Sequence, residues 1–207
     1  MSALIGKKIG MTRIFSEQGK AIPVTVVQVG PCYVTQIKTK EHDGYEAVQL
    51  GYGLKREKLV AKPVKGHLKK SGASALRVLK EFRNFKMDGS IKLGAELRAS
   101  VFAIGDKVAV TGISRGKGFS GGIKRHHFGG GPKTHGQSDR LRAPGSVGQS
   151  SYPSRVLKGT RMAGRMGNEQ VTVKTLKVVR IDPENNFIMI KGAVPGSRNG
   201  IVYIKKS

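Results

Sequence analysis

The sequence predicts a mainly β protein: an antiparallel β-barrel with a long basic, glycine-rich loop extension and a small irregular α/β insertion. Three observations carry that reading. Short runs of β-branched and aromatic residues alternate with polar ones between Gly, Pro and Asp breaks, the pattern of half-buried strands. Such runs lie on both sides of a central stretch that has almost none. That stretch, residues 112–168, holds 14 glycines and 11 Lys or Arg but a single acid, Asp139.

Val24, Val26, Val27 and Val29 form an early run, ended by Gly30-Pro31. Tyr33, Thr35 and Ile37 then alternate with Val34 and Gln36, and Val48, Leu50 and Tyr52 with Gln49 and Gly51. Residues 54–97 are less regular and lysine-rich, with either a strand or a short helix near 76–82. Residues 107–111, after the Gly105-Asp106 turn, read as another strand. Beyond the central stretch, Val171, Val173, Leu176, Val178 and Ile181 restore β character. Asp182-Pro183-Glu184-Asn185-Asn186 is a turn, because Pro presets φ and Asx side chains cap turns. A strand from Phe187 to Ile190, a bend at Gly192-Ala-Val-Pro-Gly196 and a last strand over 201–204 complete the pattern. The predicted barrel core is therefore 1–111 with 169–207, the insertion is 54–97, and the loop is 112–168.

Charge narrows the function. The 207 residues carry 38 Lys and Arg against 13 Asp and Glu, a formal net charge of +25. Residues 1–111 mix 20 basic with 9 acidic side chains, so the imbalance is sharpest in the loop. An excess of this size repels itself in a compact monomer and calls for a polyanion. A membrane is the less suitable one: no basic amphipathic helix stands out, and apolar runs such as 201–204 are far too short to span a bilayer. The first residues, Met-Ser-Ala-Leu-Ile-Gly-Lys-Lys, lack a secretory apolar segment. The single cysteine, Cys32, is expected to be a buried, inert thiol on a strand, in keeping with a reducing cytoplasm.

The motifs in the loop point the same way. Large apolar residues are too sparse there to offset the entropy of ordering the backbone, which predicts an appendage that orders on a partner. Gly112-Ile-Ser-Arg-Gly116-Lys117-Gly118 fails as a nucleotide phosphate loop: the glycine spacing is short, and Gly118 replaces the hydroxyl that would hold Mg²⁺. What remains is glycine-freed N–H groups beside Arg115 and Lys117, suited to RNA phosphates. Lys117-Gly118-Phe119 begins like an RRM motif but breaks at Ser120-Gly121. Gly145-Ser-Val-Gly148 has the GxxG form of KH domains, but Pro144 and Pro153 oppose the flanking helices. His126, His127 and His135 match no zinc spacing and have no carboxylate nearer than Asp139, so no metal site is expected and imidazole contacts to bases or phosphates are. Lys124-Arg125-His126-His127-Phe128 sets an aromatic among cations, as stacking on RNA requires; Phe119 and Phe128 could equally be packing anchors. An RNA-modifying or nucleolytic enzyme using His135 and Asp139 is the alternative, though a positioned acid–base pair is missing.

Passages spread along the whole chain closely resemble the universal large-subunit ribosomal protein three family in its bacterial form. They are Leu-Ile-Gly-Lys-Lys-Ile-Gly-Met-Thr-Arg-Ile-Phe at 4–15, Gly-Lys-Gly-Phe at 116–119, Thr-His-Gly at 134–136 and Arg-Ala-Pro-Gly-Ser-Val-Gly at 142–148. Lys-Gly-Thr-Arg-Met-Ala-Gly-Arg-Met-Gly at 158–167 and Gly-Ala-Val-Pro-Gly at 192–196 follow. The resemblance implies a β-barrel on the subunit surface and an extension threaded through ribosomal RNA toward the peptidyl-transferase region. It implies direct binding of 23S rRNA near its 3′ end, a part in starting assembly, and neighbouring large-subunit proteins as further partners. Neither a small-molecule substrate, a membrane, nor a cofactor beyond rRNA-associated Mg²⁺ is expected, since catalysis there belongs to RNA. In this chain the implied RNA contacts are Lys7, Lys8 and Arg13, then Arg115, Lys117, Phe119, Lys124, Arg125, His126, His127, Lys133 and His135. Arg140, Arg142, Arg155, Lys158, Arg161 and Arg165 continue the series. Two departures stand out. Pro153-Ser154 replaces a Pro-Gly found in many relatives. Ser151 stands where some bacterial relatives carry a methylated glutamine, so that modification is not carried over to Gln149. A free RNA chaperone or nucleoid protein is the alternative among binding proteins.

Overall fold

The computed structural model describes residues 2–83, 85 and 92–206. Along the chain run β1 (Ala3–Phe15), β2 (Ala21–Val29), β3 (Cys32–Lys38), the short helix α1 (Lys40–Asp43) and β4 (Ala47–Leu54). Next come α2 (Lys62–Lys69), β5 (Leu76–Arg83), β6 (Glu96–Leu97) and β7 (Lys107–Ile113). The former loop region contributes β8 (Phe119–Ser120), α3 (Gly122–His126) and β9 (Gly164–Arg165), and β10 (Gln170–Asp182), β11 (Phe187–Lys191) and β12 (Ile201–Lys206) end the series.

Six strands close into an antiparallel barrel in the order β1-β12-β7-β10-β11-β2. Alternation selects its interior: Val108 and Val110, Ile188 and Ile190, Val202 and Ile204 are each fully buried, two residues apart as the pleat demands. Two strands reach across a seam. In β1 the first residues pair with β12 and the rest with β2, and Gly6 belongs to both ladders, opposite Val202 and Val29. A Cβ on Gly6 would sit 2.7 Å from the Gln28 carbonyl oxygen, so this crossing requires glycine. In β10 the first half pairs with β7 and the second with β11, with register shifts between Val173 and Leu176 and between Val178 and Arg180. Thr175, at φ 62, sits in the first of these bulges, which bends the strand to serve both neighbours.

The alternating runs at 33–37 and 48–52 form strands but do not join the barrel. They are β3 and β4, the centre of a separate sheet ordered β5-β4-β3-β6. Antiparallel neighbours close in sequence pair locally, and the chain turns away from β2 at Gly30-Pro31. The open choice at 76–82 resolves as strand, β5, with Leu76 and Phe82 buried. Within 54–97 the structure adds α2, which the apolar pattern does not announce because only Leu68 on it is buried. Residues 84 and 86–91 of this insertion lie outside the described residues. Val34, Val48, Leu50, Tyr52 and Phe82 share one continuous core with the barrel interior. Cys32 is fully buried on β3. Its Sγ donates to the Ile5 carbonyl at 3.3 Å, and burial pushes the thiol up to about 11.

The chain divides into two compact units, Met1–Ser114 with Gln170–Ser207, and Arg115–Glu169. The second is inserted between strands that pair directly, since Ile113 of β7 stands opposite Gln170 of β10.

Candidate nucleic-acid interface

The Arg115–Glu169 unit has local order that composition conceals. β8 and β9 pair, Phe119 with Arg165 and Ser120 with Gly164. The ladder continues where Lys117 N–H donates to the Met166 carbonyl (2.9 Å) and Met166 N–H to that of Gly118 (3.0 Å). The Lys117 N–H is thus used inside the protein. Gly167, at φ +71, closes the pair, and a Cβ on it would collide with the Arg115 carbonyl oxygen. Left-handed φ and backbone-on-backbone contact both require glycine at that point.

Helix α3 ends where His127 turns left-handed at φ 62 and donates its N–H to the Ile123 carbonyl at 3.0 Å. Arg125 Nη1 donates to the Met162 carbonyl at 2.9 Å, and His126 Nε2 lies 3.0 Å from the same oxygen. Phe128 is a packing anchor: its ring is tilted on His126 at 5.8 Å between centroids, and it occupies space that a Cβ on Gly122 would need. Farther along, Gly131 N–H donates to the Leu141 carbonyl at 2.9 Å. With its amide oriented by the hydrogen-bond network, Gln137 Oε1 accepts from the N–H groups of Arg140 (2.7 Å) and Leu141 (3.1 Å). Ser154 holds φ 57 and donates its hydroxyl to the Ser151 carbonyl. A short polar side chain can occupy this region by bonding locally.

Electrostatics separates this unit from the rest. Ser120 is its one buried residue, and it sets eleven Lys and Arg against Asp139 and Glu169. Arg115, Lys117, Lys124, His127, Lys133 and His135 are exposed, as are Arg140, Arg142, Arg155, Lys158, Arg161 and Arg165. Arg125 and His126 are half-buried by their contacts with Met162. Phe119 and Tyr152 are 80 % and 86 % exposed; aromatic rings left in water among cations are what stacking on bases calls for. Tyr152 escapes sequence reasoning because it stands alone between serine and proline.

Three predicted contacts lie in the other unit. Arg13 is exposed on the far half of β1. Lys7 lines a cleft with Arg77, Gln28, Tyr52 and Asn199. Lys8 is committed internally: its Nζ donates to the Val194 and Gly196 carbonyls at 2.7 and 3.1 Å, and burial lowers its pKa. Among the described residues no group of His, Cys, Asp and Glu could hold a metal ion. No helix among them is long and apolar enough to cross a membrane. Asp139, the acid of the enzyme alternative, accepts from the Ser138 hydroxyl at 3.3 Å.

Fold and site together define a class: basic β-barrel proteins whose inserted unit carries a dense excess of exposed positive charge. Comparison with known proteins narrows it. The model of the family described as Ribosomal protein L3 matches residues 78–185. The chain is 56 % identical over 204 residues to a protein of Chlorobaculum tepidum named large ribosomal subunit protein uL3, covering 99 % of this chain and 98 % of that one. Proteins of the same name from Chloroherpeton thalassium (55 % identical, all of both chains) and Heliobacterium modesticaldum (56 %, covering 99 % and 96 %) are similar along their whole length. The chain belongs to the ribosomal protein L3 family, a family of structural components and not of enzymes.

Proposed function

We propose that this protein is a structural constituent of the large ribosomal subunit in the cytoplasm, and that it binds 23S rRNA directly near the RNA's 3′ end. In this reading it helps to nucleate subunit assembly beside neighbouring large-subunit proteins, and the Arg115–Glu169 unit braces RNA toward the peptidyl-transferase region. The observation that carries the proposal is the segregation of charge: eleven cations and two acids in a unit with one buried residue. Such a surface neutralises phosphates where RNA helices crowd together and releases their counterions. Spaced cations among glycines fit a strand that tracks the sugar–phosphate backbone, so shape of the folded RNA supplies the specificity. Lys8 then braces the barrel itself, while Lys7 and Arg13 remain available to RNA.

Sedimentation tests it. The protein should travel with large subunits and stay with them through moderate salt. A protein that sheds from them at low salt, or follows bulk nucleic acid, would be a chaperone or nucleoid protein instead.

A further inference from the structure

An open cavity of about 720 Å³ lies within the Arg115–Glu169 unit, lined among others by Phe128, Gly130, Arg140, Ser146, Val147 and Arg161. Its size is that of sites that take small organic molecules. Its chemistry is one-sided. Two arginines, Arg140 and Arg161, are among its lining residues, and no Asp or Glu is. Among the described residues, the N–H groups of Gly129, Gly130, Ser146 and Val147 have no hydrogen-bond acceptor. Such donors suit an anion with several oxygens. Phe128, held by His126 and Gly122, adds an apolar ring to a site otherwise built of donors.

We propose that this cavity receives a single unpaired nucleotide of the bound RNA, its phosphate on Arg140, Arg161 and the loop N–H groups and its base against Phe128. The inference rests on the RNA-binding reading and deepens it, by adding one local recognition site to a surface that otherwise follows phosphates and the shape of the folded RNA. A protein carboxylate could use the same donors but would leave the ring and most of the volume unfilled.

The experiment uses the full chain and two RNA hairpins of equal length, one fully paired and one with a single bulged 2-aminopurine. The wild type should prefer the bulged hairpin by about tenfold, the order of one base stacked on a protein ring, with a change in 2-aminopurine fluorescence on binding. Arg161→Gln and Phe128→Leu should abolish the preference and the fluorescence change. Arg142→Gln, adjacent but outside the cavity lining, should weaken both hairpins equally and keep the preference. Because Phe128 also packs within the unit, Arg161→Gln is the deciding variant. Equal, tight binding of both hairpins by the wild type would overturn the inference and leave RNA binding standing. A preference that survives Arg161→Gln would also overturn it, as would competition by an acidic peptide at concentrations where adenosine monophosphate has no effect. Failure to bind either hairpin would remove the RNA-binding reading and this inference with it.

Discussion

The barrel-bearing unit and the Arg115–Glu169 unit solve opposite problems with the same backbone chemistry. In the first, apolar side chains at alternate positions are removed from water, and acids offset part of the charge: Lys38–Glu81 at 3.0 Å, Arg98–Glu96 at 2.7 Å and Lys206–Asp106 at 2.7 Å. In the second, one side chain is buried and order comes from backbone hydrogen bonds, glycine contacts and a few cation-to-carbonyl links. The difference shows where each kind of information sits. Stability of the first unit is a matter of burial, while the second is marked by positive charge that its own two acids do not balance.

The harshest way to break the comparison is to exchange residues 125–158 for a short Gly-Ser linker. The remaining strands should still melt cooperatively, since the core lies outside that segment. Affinity for large-subunit rRNA should fall by about 10³-fold as phosphate contacts are lost. Calorimetry and filter binding read the two halves of this prediction. Loss of a cooperative transition would show that the segment supports the core.

Single truncations sharpen the contrast. Ile190→Ala, in the barrel, should cost about 2 to 5 kcal/mol by transfer and cavity terms. Leu157→Ala, at a position 57 % exposed, should change urea-unfolding stability by less than about 0.5 kcal/mol. Equal costs would mean that the second unit has a core of its own.

These positions also show how much was legible in the chain. Val108 and Val110, Ile188 and Ile190, Val202 and Ile204 declare their strands and their inward face because period two maps directly onto the pleat. Which sheet a strand joins is not local information, so β3 and β4 could not be told from barrel strands. Pro63 and Gly66 interrupt any helical signal over α2, and only Leu68 marks its buried face. At the site, residue type announced the cations, while only coordinates separate Lys8, tied to two carbonyls, from Lys7 beside it. The glycines beside Arg115 and Lys117 suggest N–H groups freed for RNA phosphates, and nothing in residue type shows that Gly167 makes room for the protein's own Arg115 carbonyl.

Cys32 provides a smaller effect confined to the first unit. Cys32→Ala should cost about 1 to 2 kcal/mol in lost packing and leave RNA binding unchanged. It should also flatten the alkaline limb. The folded thiol keeps its proton up to about 11 against an ordinary 9.0, so the unfolded chain ionises first and stability falls as pH rises between those values. Urea midpoints of wild type and variant from pH 8 to 11 should converge. Parallel curves would mean that the thiol does not contribute to the slope.

The smallest effects belong to single cations of the second unit. Arg140→Gln, Arg142→Gln, Arg155→Gln, Arg161→Gln and Arg165→Gln should each reduce the slope of log affinity against log salt by roughly 0.7 to 0.9. Apart from the Arg140 and Arg161 changes at the bulge-binding cavity, they should not relax the preference for folded over unfolded RNA of equal length. A variant that loses this discrimination and keeps its slope would have been reading shape or bases.

The pairing of β1 with β12 sets a timetable for synthesis. Ala3 stands opposite Lys205 and Lys7 opposite Ile201, so the first strand made waits for the last. At about 5 to 20 residues per second, the interval from the β1–β2 hairpin to β12 is roughly 10 to 35 s. Through it β1, and from its own synthesis onward β7, presents an open edge able to pair with another nascent chain. The basic unit, made before β12, keeps a strong positive charge on the growing polypeptide, and mutual repulsion between such chains is a guard against that mispairing until the barrel shuts.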